Sequence, residues 1–220
     1  MQRRISNFLL ALVGFLFLVC GSVTLVLNCR QLYAWDMQRL NLGDELGLSE
    51  TVLMDNYNAL IDYNLAIGGT DRLEFPDFPM SEHGRIHFEE VKVIFVRIQY
   101  LFCFMGILFL IGLIWKIRQR EYRFLKTLAI MTWGIPAVFG TLIAFFWEPF
   151  FTLFHRIFFD NDYWLFDPMT DPIILILPDE FFAHCAVAIL LFVAAGGAVS
   201  LIVYRVLKRH VSTRTRSRKR

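Results

Sequence analysis

Moving protons near neutral pH calls for imidazoles, and two stretches of this sequence set them beside groups able to tune them. The first, Ser81-Glu82-His83-Gly84-Arg85-Ile86-His87-Phe88-Glu89-Glu90-Val91-Lys92, concentrates titratable side chains just ahead of a long apolar run. On a helix, His83 and His87 lie one turn apart on one face, and His87 also neighbours Glu90 and Val91. A carboxylate so placed orients an imidazole as a general base requires. From spacing alone a plainer account fits better: a solvated helix start whose acids complement the N-terminal dipole.

The second stretch, residues 147–167, holds His155 among Trp147, Phe150, Phe151, Phe154, Phe158, Phe159, Trp164 and Phe166. Pro149 suits the first turn of a helix, and the run from Phe150 to Phe159 has too few polar positions to stand in water. It is expected to lie at the membrane surface or to re-enter slightly. An aromatic belt with a purely anchoring role accounts for the rings but not for His155. Burial favours the neutral imidazole, which can accept a proton, although a lone histidine in such a setting is more often structural. Downstream, Asp167-Pro168 and Asp171-Pro172 read as turn or helix starts, the Asp capping and the Pro at the first helical position.

Other chemistries find less support. His83 and His87 have the spacing of a helical zinc pair with Glu89 or Glu90 nearby, but the HExxH order is absent because Gly84 follows His83. No GxSxG elbow, SxxK pair or glycine-rich phosphate loop is present, so a serine hydrolase or nucleotide-driven pump has no starting point. Cys20, Cys29, Cys103 and Cys185 show no CxxC or CxxH spacing, and three of them sit in apolar runs where a thiol acts as a small hydrophobe. Neither a disulfide framework nor a zinc ribbon is expected, and no cofactor is indicated.

The elements that must position these histidines are membrane helices. Of 220 residues, 56% are hydrophobic and 23 are Phe, more than a soluble domain of this size needs for its core. Runs of the roughly 20 apolar residues that a bilayer demands occur at about 8–27, 93–115, 125–146 and 182–204. The basic start Met1 to Arg4 and the run before Cys20 would also fit a secretory or lipoprotein signal. Val19 is too large for the position before a lipoprotein cysteine and the run continues to Leu27, so an uncleaved helix is expected. Arg97 and Gln99, near one end of the second span, are expected to snorkel to the interface.

Lys and Arg favour the cytoplasmic side of short connections. Arg3 and Arg4, then Lys116, Arg118, Arg120, Arg123 and Lys126, then Arg205, Lys208, Arg209, Arg214, Arg216, Arg218, Lys219 and Arg220 all fall on one side of four spans. Both termini are therefore expected in the cytoplasm. The tail 205–220 is expected to sit against anionic lipid rather than nucleic acid, in line with a net charge of only +2. Segments 28–92 and 147–181 hold every Asp and Glu except Glu121 and face outward. The first is too short for a comfortable core of its own and is expected to cap the membrane helices. Within it, Ser49 is placed to cap a helix whose Leu53, Tyr57, Leu60 and Ile61 share a face. Phe75-Pro76-Asp77-Phe78-Pro79 then breaks any helix, and a second helix is expected from near Ser81 into span two. The whole is one expected membrane domain, 1–220: all-α, four transmembrane helices, a small extracellular cap and an aromatic loop.

Asn56-Tyr57, the block His87-Phe88-Glu89-Glu90-Val91-Lys92, and His155 followed by Phe158-Phe159, Trp164, Asp167, Asp171, Pro178 and Phe181-Phe182 together resemble the bacterial lipoprotein intramolecular transacylase family. The likeness covers most of the chain. It implies a multi-pass enzyme of the bacterial cell membrane, its active site at the extracellular face, with diacylglyceryl-modified lipoproteins as substrate and membrane lipid around it. The acyl chain on the middle glycerol carbon would move to the free amino group of the lipoprotein's N-terminal cysteine, leaving a lyso-form lipoprotein. The family's two catalytic histidines carry over to His87 and His155. Arg85, Lys92 or Arg156 would polarise the ester carbonyl or its oxyanion, and Glu90 or Glu89 would orient His87. Asn56, Tyr57, Trp164, Asp167 and Asp171 are further supporting or substrate-binding candidates. The rival functions are a nonenzymatic membrane assembly or anchoring protein and a zinc-dependent membrane hydrolase.

Overall fold

The computed structural model describes residues 2–217, with side chains described as far as Arg209, and is all-helical among the described residues. Of the basic tail, Arg218, Lys219 and Arg220 lie outside the described residues, and Arg214 and Arg216 are described in backbone only. Four helices, at the places of the expected spans, are long and apolar enough to cross a membrane, the third ending at Phe145, one residue before its expected bound. These are α1 (Gln2–Leu27), α5 (Glu82–Arg118), α6 (Arg123–Phe145) and α8 (Asp179–Ser217). Between them run α2 (Arg30–Arg39), α3 (Leu42–Leu46), α4 (Glu50–Tyr63), α7 (Trp147–Phe158) and a 3-10 turn, Pro172–Ile176.

The chain forms two compact units, and the boundary between them falls inside each of the four long helices. The first unit takes the chain up to Ser22, Leu101–Thr141 and the chain from Ala188 on. In it Leu10, Phe124 and Leu125 pack with Phe109, Leu113 and Tyr204. Gly197 lets α8 close on α6, since a Cβ there would meet the Thr132 hydroxyl and the Trp133 ring. Glu121, the one acidic residue outside the two outer segments, is explained here. It accepts from the wholly buried Lys116 ammonium at 2.7 Å and from the Asn7 amide at 3.1 Å, while Lys116 also donates to Ser6 Oγ at 2.9 Å. A buried ammonium without such partners would be strongly destabilising.

The second unit, Val23–Tyr100 with Leu142–Val187, contains the candidate site. Its core gathers Tyr33, Leu53, Tyr57, Ile61, Phe88, Ile173, Ile176 and Phe181. Tyr33 stacks on Tyr57 at 3.9 Å between ring centres and donates its hydroxyl to the Ile176 carbonyl at 3.1 Å. Ser49 caps α4 by accepting from Val52 N–H at 3.3 Å, and the buried face of α4 includes the expected Leu53, Tyr57, Leu60 and Ile61. The proline-rich break after α4 is pinned rather than loose: Asn56 donates to the Asp77 carboxylate at 2.8 Å and accepts from Asp77 N–H at 3.3 Å.

Three details differ from expectation. The helices α2 and α3 in the first outer segment are additional. Gln99 does not snorkel: it accepts from Ala66 N–H at 3.0 Å and donates to the Asn64 carbonyl at 2.8 Å, tying the turn after α4 to α5. Asp171 precedes the 3-10 turn without capping it, because its carboxylate is committed elsewhere.

Candidate active site

That commitment is to the start of α5. Ser81 begins the helix by accepting from Gly84 N–H at 3.0 Å, and the buried Asp171 carboxylate accepts from Ser81 N–H at 2.7 Å and from the Thr170 hydroxyl at 2.8 Å. Gly84 makes the approach possible, since a Cβ there would fall on Asp171 Oδ1 and lie 3.3 Å from Phe166. The first turn of α5 is thus held from outside the helix. One turn on, His87 is buried with its ring centre 4.7 Å from that of Phe159 and 5.4 Å from that of Phe166.

His155 is carried by α7, whose last residue hands over to an extended Phe159. That change of direction buries Phe159 and leaves Phe158 exposed. The His155 ring packs against Phe151, at 4.2 Å, and against Trp164, at 4.6 Å and 26°. The His87 and His155 ring centres are 6.1 Å apart. Two imidazoles roughly 70 residues apart in sequence therefore share one aromatic enclosure.

The enclosure fixes protonation. His155 Nδ1 lies 2.8 Å from the Phe151 carbonyl oxygen. A carbonyl can only accept, so the ring proton sits on Nδ1 and Nε2 presents its lone pair. Neither group is in a spanning stretch: α7 has 12 residues, too few to cross, and His87 precedes the apolar run that begins at Val93. Burial, and then the nearby His155, push the His87 imidazole down to about 4; burial likewise lowers His155, partly offset by its bond to Phe151. Both rings rest neutral at pH 7. His87 Nδ1 and Trp164 Nε1 are buried without a hydrogen-bond partner.

A sequence model described as lipoprotein intramolecular transacylase Lit matches residues 8–182. The chain belongs to the Lit family. The in meso structure of the membrane integral lipoprotein intramolecular transacylase Lit from Bacillus cereus is 34% identical, superimposes with a TM-score of 0.92, and is matched over 96% of this chain and 97% of that one. Two further structures of that protein, with a single histidine replaced by arginine or by alanine, superimpose at 0.86, again at 34% identity, over 96% of this chain and 93% and 95% of theirs. No curated protein sequence matches significantly.

In this Lit family chain the candidate residues fall into three groups. His87, His155 and Trp164 come together, with Asp171 fixing the helix start beneath His87. Glu90 touches the assembly indirectly: its carboxylate accepts from the Asn161 amide at 3.0 and 3.2 Å, fastening the aromatic loop to α5. Glu89 pairs with Arg85, so neither acid orients His87. The rest lie elsewhere. Arg85 is exposed and bound to Glu82 and Glu89 on its own helix. Lys92 donates to the Thr70 carbonyl at 2.6 Å and lies over the Tyr63 ring. Arg156 is exposed. Asn56 and Tyr57 belong to the core around α4, and Asp167 closes a turn by accepting from Met169 N–H at 2.9 Å.

Phe159, Phe166, Gly84 and Asn161 were not singled out by spacing, yet they enclose or brace the pair. Only the alternation of buried and exposed phenylalanines at the end of α7 would have marked Phe159, and that depends on the chain's change of direction. His83, the other half of the imagined zinc pair, stacks on Tyr163 at 4.2 Å. Among the described residues no three His, Cys, Asp or Glu side chains gather as metal ligands.

Proposed function

We propose that this Lit family member moves the sn-2 acyl chain of a diacylglyceryl lipoprotein to the α-amino group of the lipoprotein's N-terminal cysteine, giving the lyso-form. The observation that carries this is the His87–His155 pair, 6.1 Å between ring centres inside an aromatic enclosure. The chain works as one membrane domain, with both termini in the cytoplasm and the histidines at the extracellular face. The basic connections on one side of the spans support that orientation.

His155 acts first, as base. Its Nε2 lone pair takes the proton of the cysteine ammonium or of the attacking amine. The amine nitrogen bonds to the ester carbonyl carbon and the carbonyl pair moves to oxygen. When the oxyanion collapses, the bond to the glycerol oxygen breaks, and that oxygen takes a proton from the imidazolium so formed or from its neighbour. An amide and a free glycerol hydroxyl result, with one proton released per ammonium consumed. His87, neutral at rest, can serve as donor only by relaying the proton taken up by His155: burial makes an imidazolium formed there a readier donor than an ordinary one. Ring closure through the cysteine and glycerol atoms is entropically unfavourable. A rigid apolar enclosure helps by holding the reactive conformer, an effect worth several kcal/mol in well-oriented reactions.

The test is mass spectrometry of a lipoprotein's N-terminal peptide from bacteria lacking other N-acylating activity, with and without this chain. The expected product is an N-acyl, S-monoacylglyceryl cysteine of unchanged total mass, told from the diacyl form by fragmentation. An unchanged diacylglyceryl cysteine would favour the nonenzymatic anchoring role.

The lowered histidine values carry a pH signature. Below its ordinary value of about 6.5, an imidazole in the unfolded chain binds a proton that folded His87 refuses until about pH 4. The unfolded state therefore binds more protons across that window, and stability falls as pH drops from about 6.5 towards 4. The unfolding midpoint in a lipid mimetic should decline over this range, and His87→Phe should flatten the decline. An equal decline in both chains would refute a neutral buried His87.

A further inference from the structure

We propose that the Trp164 indole N–H is the hydrogen-bond donor that stabilises the oxyanion in acyl transfer, a role that rests on the transacylase function proposed above.

Attack of the amine converts a neutral ester carbonyl into an oxyanion, and the reaction needs a donor aimed at the oxygen where that charge appears. The cations that spacing offered for this task are engaged or outside the enclosure. Arg85 is bound by Glu82 and Glu89, Lys92 by the Thr70 carbonyl, and Arg156 is exposed rather than enclosed. Among the described residues, six buried side-chain polar atoms have no hydrogen-bond partner, and only two of them, Trp147 Nε1 and Trp164 Nε1, are obligate donors. Trp164 is the one whose ring lies face to face with His155, at 4.6 Å and 26°. Trp147 sits two turns back along α7 and packs on Phe151.

An indole N–H cannot rotate into an acceptor, so leaving it buried and unpaired costs stability in the resting protein. A carbonyl oxygen of substrate offers the missing partner. The stacking holds the two rings side by side, and in the proposed role they act on one reacting carbon: His155 Nε2 takes the proton from nitrogen while the Trp164 N–H holds the oxygen of the same carbonyl. As the carbonyl pair moves to oxygen the bond shortens and strengthens. When the oxyanion collapses and the glycerol oxygen leaves, it relaxes to that of an ordinary amide. The donor thus binds the transition state more tightly than the ground state and acts on kcat.

The experiment uses the full chain in lipid mimetic with a synthetic diacylglyceryl lipopeptide. It compares wild type, Trp164→Phe and Trp164→benzothienylalanine; the last keeps the bicyclic ring and replaces N–H with sulfur. Both variants should lose about 10²–10³-fold in kcat, with KM within about threefold and the shape of the pH profile unchanged. Trp147→Phe should change kcat by less than about threefold. Thermal unfolding of each variant reports folding separately. The proposal is overturned if the benzothienylalanine chain keeps kcat while Trp164→Phe loses it, which means ring volume matters and the N–H does not. It is also overturned if KM rises with kcat unchanged. Should wild type move no acyl chain, the transacylase function itself fails; should it act, with His155→Ala inactive and both Trp164 variants active, only the donor role is lost.

Discussion

His155→Ala and His87→Ala are each expected to lower the transacylation rate by about 10²–10⁴-fold, the range of a positioned acid or base. The loss should appear in kcat rather than KM, because an imidazole that transfers a proton does its work in the transition state. In the proposed mechanism the two serve one proton cycle, so the double variant should fall little below the worse single one. His87→Phe separates chemistry from packing. It removes a buried Nδ1 that has no partner and fills the site with an apolar ring among Phe88, Phe159 and Phe166. That change should leave stability equal or higher while abolishing turnover, the trade expected where function keeps a polar group in an apolar site. The measurement is product formation at matched expression with unfolding midpoints alongside. A His87→Ala chain that keeps a tenth of wild-type turnover or more (about 1.4 kcal/mol or less) would remove His87 from the chemistry.

Asp171→Ala should lose both stability and rate. The carboxylate accepts from Ser81 N–H and the Thr170 hydroxyl, so its removal deletes charge-assisted bonds and orphans a backbone amide at the start of α5. A cost of about 2–4 kcal/mol is expected. Because that turn sets the position of His87, an error on the order of 1 Å there should lower the rate by about 10²-fold. Gly84→Ala reaches the same clasp from the other side, by placing a methyl where Asp171 Oδ1 lies. Asp171→Asn retains an acceptor and should recover most of the stability. Unfolding midpoints and single-turnover rates on all three decide it; an Asp171→Ala chain with wild-type values would show that α5 starts without help.

Much of this was legible in the sequence, for local reasons. Apolar run length gave the four spans, Ser49 and the spacing of Leu53, Tyr57 and Ile61 gave α4, and Pro149 gave the start of α7. The helix α2 was not, because its buried Tyr33, Asp36 and Met37 mix polar and apolar and leave little periodic signal. Buried Asp36 is acceptable there because His184, 148 residues away, bonds to it at 2.7 Å and the Arg39 guanidinium lies 4.0 Å from the same oxygen. The expected partners of the histidines failed for a related reason. Glu90 stands one turn from His87, but its carboxylate accepts from Asn161, 71 residues on. Arg85 shares the helix of His87 but, two residues away, points to a different side and finds Glu82 and Glu89 first.

The sequence by itself determined that this chain crosses a membrane and that His87 and His155 flank its apolar runs, because run length and helical period are properties of neighbouring residues. Only the tertiary structure decided that the two imidazoles meet, that the His155 proton sits on Nδ1, and that the indole beside it keeps an unpaired N–H. Each of these depends on which groups from distant segments share one enclosure, and there burial and partner choice, not spacing, set the protonation state and the donors left for substrate.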